Sequence, residues 1–130
     1  MATHSETIVR AYFDAIHDGR LDDLAALFAE NASLHFPLTE PIVGREAIRQ
    51  FYAGVFAFYT KRSDHTSRYF LSEDGGVAAE IHFEGTTSTG QDVVFDAVDV
   101  FDIGEGQIQK LQIFYDSARV LKMLGSLPNQ

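Results

Sequence analysis

Apolar positions along this chain change period part-way through. In the N-terminal part they recur at helical spacing. Ile8, Val9, Tyr12, Phe13 and Ile16 share one helical face, with Ser5 or Thr3 placed to cap the start. The helix is expected to end at His17-Asp-Gly19, with Gly19 as a left-handed cap. Leu21, Leu24, Ala25, Leu27 and Phe28 then mark a second, short helix. Asp22 and Asp23 sit in its first turn, where the helix dipole favours negative charge. Residues 32–36 read as a short strand stopped by Pro37, and Pro41 and Gly44 mark a loop. A third helix starts near Arg45 and carries Ile48, Phe51, Tyr52, Val55, Phe56 and Tyr59. The polar stretch 61–64 reads as a break, with Lys61 and Arg62 in a solvated loop.

From residue 65 the period becomes two. Strands are expected over 65–71, 77–85, 93–103 and 108–115, with turns at 73–76, 86–91 and 104–106. A last helix over 117–124 ends at Gly125, and the tail 128–130 is expected to be loose. Helices and strands segregate, which predicts an α+β fold with a largely antiparallel sheet. One domain spanning 1–130 is expected.

One strand breaks the apolar pattern. In VVFDAVDVF, residues 93–101, Asp96 and Asp99 lie three apart and so face opposite sides of a sheet. Asp99 shares its side with Phe95, Ala97 and Phe101. A polar group buried there without a partner costs about 2–7 kcal/mol, which makes Asp99 a candidate for chemistry.

Composition adds a few exclusions. The formal charge is -9, which repels phosphate backbones and argues against nucleic acid as a partner. There is no cysteine, hence no thiolate chemistry. The five histidines, His4, His17, His35, His65 and His82, show no paired ligand spacing on one face, so no metal is expected. No apolar run approaches about eighteen residues, so no membrane partner is expected, and the polar start suits a cytoplasmic protein. Eleven Phe and five Tyr suit a core built around a ring-lined hollow.

Four segments carry a family resemblance: YFDAIHDGRLDDL (12–24), LFAENA (27–32), PIVGREAIRQFY (41–52) and GQIQKLQIFYD (106–116). Together they make the chain resemble the nuclear transport factor 2-like superfamily over about residues 5–122, in its SnoaL-like and ketosteroid-isomerase-like branches. The resemblance implies a cone, in which a curved, mostly antiparallel sheet wraps three helices around a pocket, as in a cystatin-like α+β barrel. It also implies a homodimer through the convex sheet face and no cofactor. Tyr12 and Asp99 match the tyrosine and the protonated aspartic acid that hold an oxyanion in the isomerases, and Tyr52 matches the tyrosine behind the first. Asp99 paired with Tyr12 for purely structural reasons is the plainer alternative.

The isomerase base is an aspartate directly before the proline that ends the first strand. Phe36 stands there in this chain. Glu40, Asp116, His35 and His82 are the substitutes to consider, with Glu40 and Asp116 taken as candidate catalytic residues beside Tyr12 and Asp99. The places of the hydrolase branch's Arg and two Asp hold Glu80, His82 and Ile113, which disfavours an epoxide hydrolase of that type. Phe36, Tyr52, Phe83, Phe95, Phe101, Leu111, Ile113 and Tyr115 are the expected ligand-binding wall. The expected function is acid–base chemistry through an enolate on a hydrophobic carbonyl compound, steroid-like or polyketide-like, in an isomerase, cyclase or dehydratase. The alternative is a non-catalytic module that binds a hydrophobic ligand or dimerises.

Overall fold

The computed structural model describes residues 4–125. The proposed Thr3 cap and the loose tail 128–130 lie outside the described residues.

Helices come first in the chain: α1 (His4–Asp18) and α2 (Leu21–Ala26). Strands β1 (Phe28–His35) and β2 (Ile42–Val43) precede α3 (Arg45–Phe58). Four strands then follow, β3 (Tyr59–Leu71), β4 (Val77–Thr87), β5 (Asp92–Gly104) and β6 (Gln107–Tyr115), and α4 (Ser117–Leu124) closes the series. The six strands form one sheet in the order β2-β1-β6-β5-β4-β3. Every pairing is antiparallel except β1 with β6. The sheet is curved and unclosed, and the fold is α+β as expected.

The apolar stripes explain the packing. α1 buries Ile8, Val9, Tyr12, Ala15 and Ile16, and α3 buries Ile48 and Tyr52. These stripes meet Val77, Ala79, Ile81, Ala97, Phe101 and Leu111 on the inner face of the sheet. Alternation is strict along β5: Val93, Ala97, Asp99 and Phe101 are buried, while Asp96 and Val98 are exposed. Val120 of α4 packs with Phe83 and Val93 and covers one end of the sheet.

Four local expectations are corrected. Phe28 begins β1 rather than ending α2, because Leu27 terminates the short helix and the buried Phe28 pairs with Ile108 of β6. The loop before Gly44 contains β2, paired with Ser33 and Leu34. Tyr59 leaves α3 for β3, with extended backbone. The stretch 61–64 is not a break but the start of the long edge strand β3, paired with residues 83–86 of β4. Its Lys-Arg-Ser-Asp sequence hides this, since two of its polar side chains face inward.

Register shifts produce that inward turn. One lies between Tyr59 and Lys61, the other between Thr66 and Arg68. A bulge lets residues an odd number apart share a face and bends the strand. Tyr59, Arg62 and Asp64 therefore all reach the concave side.

Candidate functional site

The helices and the concave face enclose a cavity of about 110 Å³. That is comparable to the roughly 150 Å³ apolar cavity that accepts a benzene. Its wall is largely aromatic and aliphatic: Phe13 and Ile16 from α1, Phe51 and Val55 from α3, Phe83 and Ile81 from β4, Phe95 and Ala97 from β5. Phe36, Ile113 and Tyr115 complete it. Five polar side chains interrupt this wall besides the tyrosines at its rim: Tyr12, Tyr52, Arg62, Asp64 and Asp99.

Tyr12 is set by the α1 stripe. Its ring packs edge-on against Phe13, Phe28 and Phe101, at 5.0, 6.2 and 5.1 Å between centroids. Its hydroxyl lies 2.5 Å from that of Tyr52, and either can donate. With Tyr52 donating, the Tyr12 hydrogen is free for the cavity. Asp99 projects from β5, opposite Ala79 of β4 and Ile113 of β6. It is only 5% exposed, and its carboxyl has no hydrogen-bond partner among the described residues.

Burial governs the charges here. It pushes the Asp99 carboxyl well above the carboxylate range, and the nearby Asp64 adds to the rise. Burial likewise raises both Tyr12 and Tyr52, so both are neutral phenols at pH 7. Asp64 is raised to about 6, again by burial, and is held from rising further by Arg62 and His17. Arg62 donates to the carbonyls of Tyr59 and Ile16 and stacks 4.2 Å over Phe56. Its Nε is buried with no hydrogen-bond partner among the described residues.

Tyr12, Asp99, Tyr52, Phe36, Phe83, Phe95, Ile113 and Tyr115 are thus brought together around one cavity. Four expected site residues are not. Glu40 is exposed in the loop after β1 and does not line the cavity. Asp116 caps α4 by accepting from the Arg119 backbone N–H. Phe101 and Leu111 face the concave side but are fully buried in the core, paired with each other beneath Tyr12. Neither histidine proposed as a base reaches the cavity. His82 lies on the convex face between Asp96 and Glu84. His35 ends β1 outside the lining.

Arg62 and Asp64 were missed, because their i, i+2 spacing is a strand signal only once residues 61–64 are recognised as a strand. Phe36 occupies its corner with rings: it lies 5.0 Å from Phe51 and 5.6 Å from Tyr115. Those three side chains, with Val55 and Tyr59, also line an outer apolar groove of about 360 Å³ along α3 and α4. The inner cavity and the groove share that aromatic boundary. Among the described residues, no three His, Asp or Glu side chains cluster to hold a metal ion.

Comparison with known proteins agrees with the fold. A model of the SnoaL-like domain matches residues 9–111. A steroid Delta-isomerase of Nocardioides simplex is 32% identical over 119 residues, spanning 88% of this chain and 92% of that one. Among solved structures, a putative SnoaL-like polyketide cyclase from Jannaschia superposes with a TM-score of 0.85 at 19% identity, over 96% of this chain and 94% of that one. The epoxide hydrolase/cyclase-like enzyme SalBIII, of pyran ring formation in salinomycin, does so with 0.78 at 27% identity, over 88% and 92%.

Proposed function

The chain belongs to the SnoaL-like family of the nuclear transport factor 2-like superfamily, and from that premise we propose that its cavity binds a hydrophobic carbonyl compound and stabilises its enolate. One observation carries this reading. A carboxyl and a phenol, 5% and 2% exposed and both pushed toward their neutral forms by burial, line one apolar cavity, and the carboxyl's hydrogen-bonding capacity is unused among the described residues.

The chemistry follows. A carboxyl that stays protonated at pH 7 donates a hydrogen bond instead of repelling an oxyanion. Two donors aimed at one carbonyl oxygen favour the enolate over the ketone, and each is worth about 3 kcal/mol in comparable sites. Tyr52 supports Tyr12 from behind. The cavity holds the reacting end of the ligand, and the outer groove holds its apolar remainder. The steroid isomerase relative and the cyclase neighbour support a ring-shaped substrate, with isomerisation or cyclisation as the reaction class.

A phenol mimics the enolate and tests the reading. Equilenin titration, read by fluorescence, is expected to weaken by about tenfold or more in both Tyr12→Phe and Asp99→Ala. Unchanged affinity in both variants contradicts the oxyanion site.

A second reading is binding without turnover. Phe36 favours it, since rings fill the corner from which the isomerase base would act. On the outer face, Val94, Val98 and Phe114 are 42, 39 and 53% exposed and support a homodimer through the convex sheet. Sedimentation of the parent protein and of Phe114→Glu tests that assembly.

A further inference from the structure

We propose that Asp64, on β3, is the catalytic base of this site, replacing the acid that Phe36 displaces from the end of β1. The inference rests on the reading of Tyr12 and Asp99 as the oxyanion site and adds the group that moves the proton.

Elimination leads to Asp64. Among the described residues, the cavity is lined by two carboxyl groups, Asp99 and Asp64, and by no histidine. Glu40 and Asp116 lie elsewhere. Asp99 is held neutral by burial and is spent as a donor. Asp64 is the remaining group able to accept a proton from a bound ligand.

Its placement is built into the sheet. Asp64 pairs with Phe83 of β4, and the register shift after Tyr59 turns it inward with Arg62. The two carboxyl groups are close enough for the Asp64 charge to raise Asp99. Paired acids whose environments push them apart divide into a donor and an acceptor. The groups acting on Asp64 are Arg62 on its own strand and His17 of α1, which favour its charged form. Tyr12, Tyr52 and Asp99 feel its charge from α1, α3 and β5. Asp64 titrates at about 6, which leaves it mostly ionised at pH 7 yet basic enough to take a proton.

The step balances without a further reagent. The Asp64 carboxylate takes a proton from the carbon next to the carbonyl. The C–H electron pair becomes a C=C bond, and the carbonyl π pair moves to oxygen, where Tyr12 and Asp99 donate. The proton returns from Asp64 to the same carbon, or to the far carbon of a conjugated enolate, and the carboxylate is restored.

Hydrogen–deuterium exchange tests this without knowledge of the natural substrate. The probe is 2-tetralone, an enolisable bicyclic ketone, incubated with the protein in D₂O and followed by NMR. The parent protein is expected to speed exchange above buffer, with a pH profile that rises through about 6. Asp64→Asn is expected to lose this acceleration by about 100-fold or more, as removal of a general base does. Asp64→Glu should retain part of it. Asp64→Asn should still bind equilenin, and at least as tightly as the parent because the charge that raises Tyr12 and Asp99 is gone, which shows the site is still folded. Exchange in Asp64→Asn at the parent rate would overturn the proposal, as would a parent protein no faster than buffer. Loss of exchange in Asp64→Asn with equilenin binding indifferent to Tyr12 and Asp99 would instead remove the oxyanion site and leave Asp64 as the base.

Discussion

The hydroxyl oxygens of Tyr12 and Tyr52 meet 2.5 Å apart at the inner end of the cavity, although 40 residues separate them in the chain. α1 and α3 each bring one phenol inward on an apolar stripe. A phenol that receives a hydrogen bond from a second phenol is a better donor through its own hydrogen, because bonds in a chain polarise one another.

Tyr52→Phe isolates that effect. It keeps the ring that packs against Phe28 and Phe51 and removes one oxygen. Loss of one hydrogen bond of about 0.5–1.5 kcal/mol predicts about two- to tenfold weaker equilenin binding. A fluorescence titration checks it. An effect as large as that of Tyr12→Phe would place Tyr52 in contact with the ligand.

Stability against pH reports on Asp99. Its folded pKa lies above its unfolded one, so its contribution to stability is complete below about 3.9 and is lost as pH rises toward the folded value. Each proton so released costs about 1.4 kcal/mol per pH unit. Asp64 contributes in the same sense up to about 6. Asp99→Asn is therefore expected to unfold at higher urea than the parent above pH 6, with the gap widening as pH rises. Parallel urea midpoints across that range would contradict a raised Asp99.

Gly85 leaves room for the Phe83 ring that lines the cavity. A Cβ there would stand 2.6 Å from the Phe83 ring and 3.1 Å from the Lys61 carbonyl oxygen. The backbone of β3 cannot yield easily, so the ring must move. Gly85→Ala is expected to tilt Phe83 and weaken equilenin binding several-fold while leaving the fold intact. Circular dichroism and the same titration separate the two effects.

Asp116 offers the opposite pattern. As the N-cap of α4 it is worth about 0.5–2 kcal/mol. Asp116→Ala should lower the urea midpoint and leave equilenin binding unchanged. Loss of binding with full stability would return Asp116 to the site.

Much of this architecture was readable from periodicity, and the misses have physical causes. The α1 stripe, the α4 boundaries and the alternation along β5 follow from apolar spacing, because each element buries one face against the same core. Asp99 stood out because a carboxyl on an apolar face needs a reason. Arg62 and Asp64 did not, since polar residues that face a polar patch of a cavity look like residues that face water. Only the pairing of β3 with β4, and the bulge after Tyr59, distinguishes the two cases. Phe101 and Leu111 were placed on the correct face, but sequence does not say how deep along a strand the cavity ends. Tyr12 and Phe13 cap that end over Phe101, and Leu111 pairs beside it in the core. Phe36 was legible as a departure, while the compensating acid, 28 positions later in the chain, was not.

The protonation state of Asp99 is the most direct test of the whole account. Difference infrared spectra of the parent protein and Asp99→Asn at pH 7.5, with aspartate carboxyls isotopically labelled, isolate that one group. A protonated-acid carbonyl band is expected in the parent, absent from the variant and shifted to lower frequency when equilenin binds. A carboxylate band assigned to Asp99 in the free protein would contradict it.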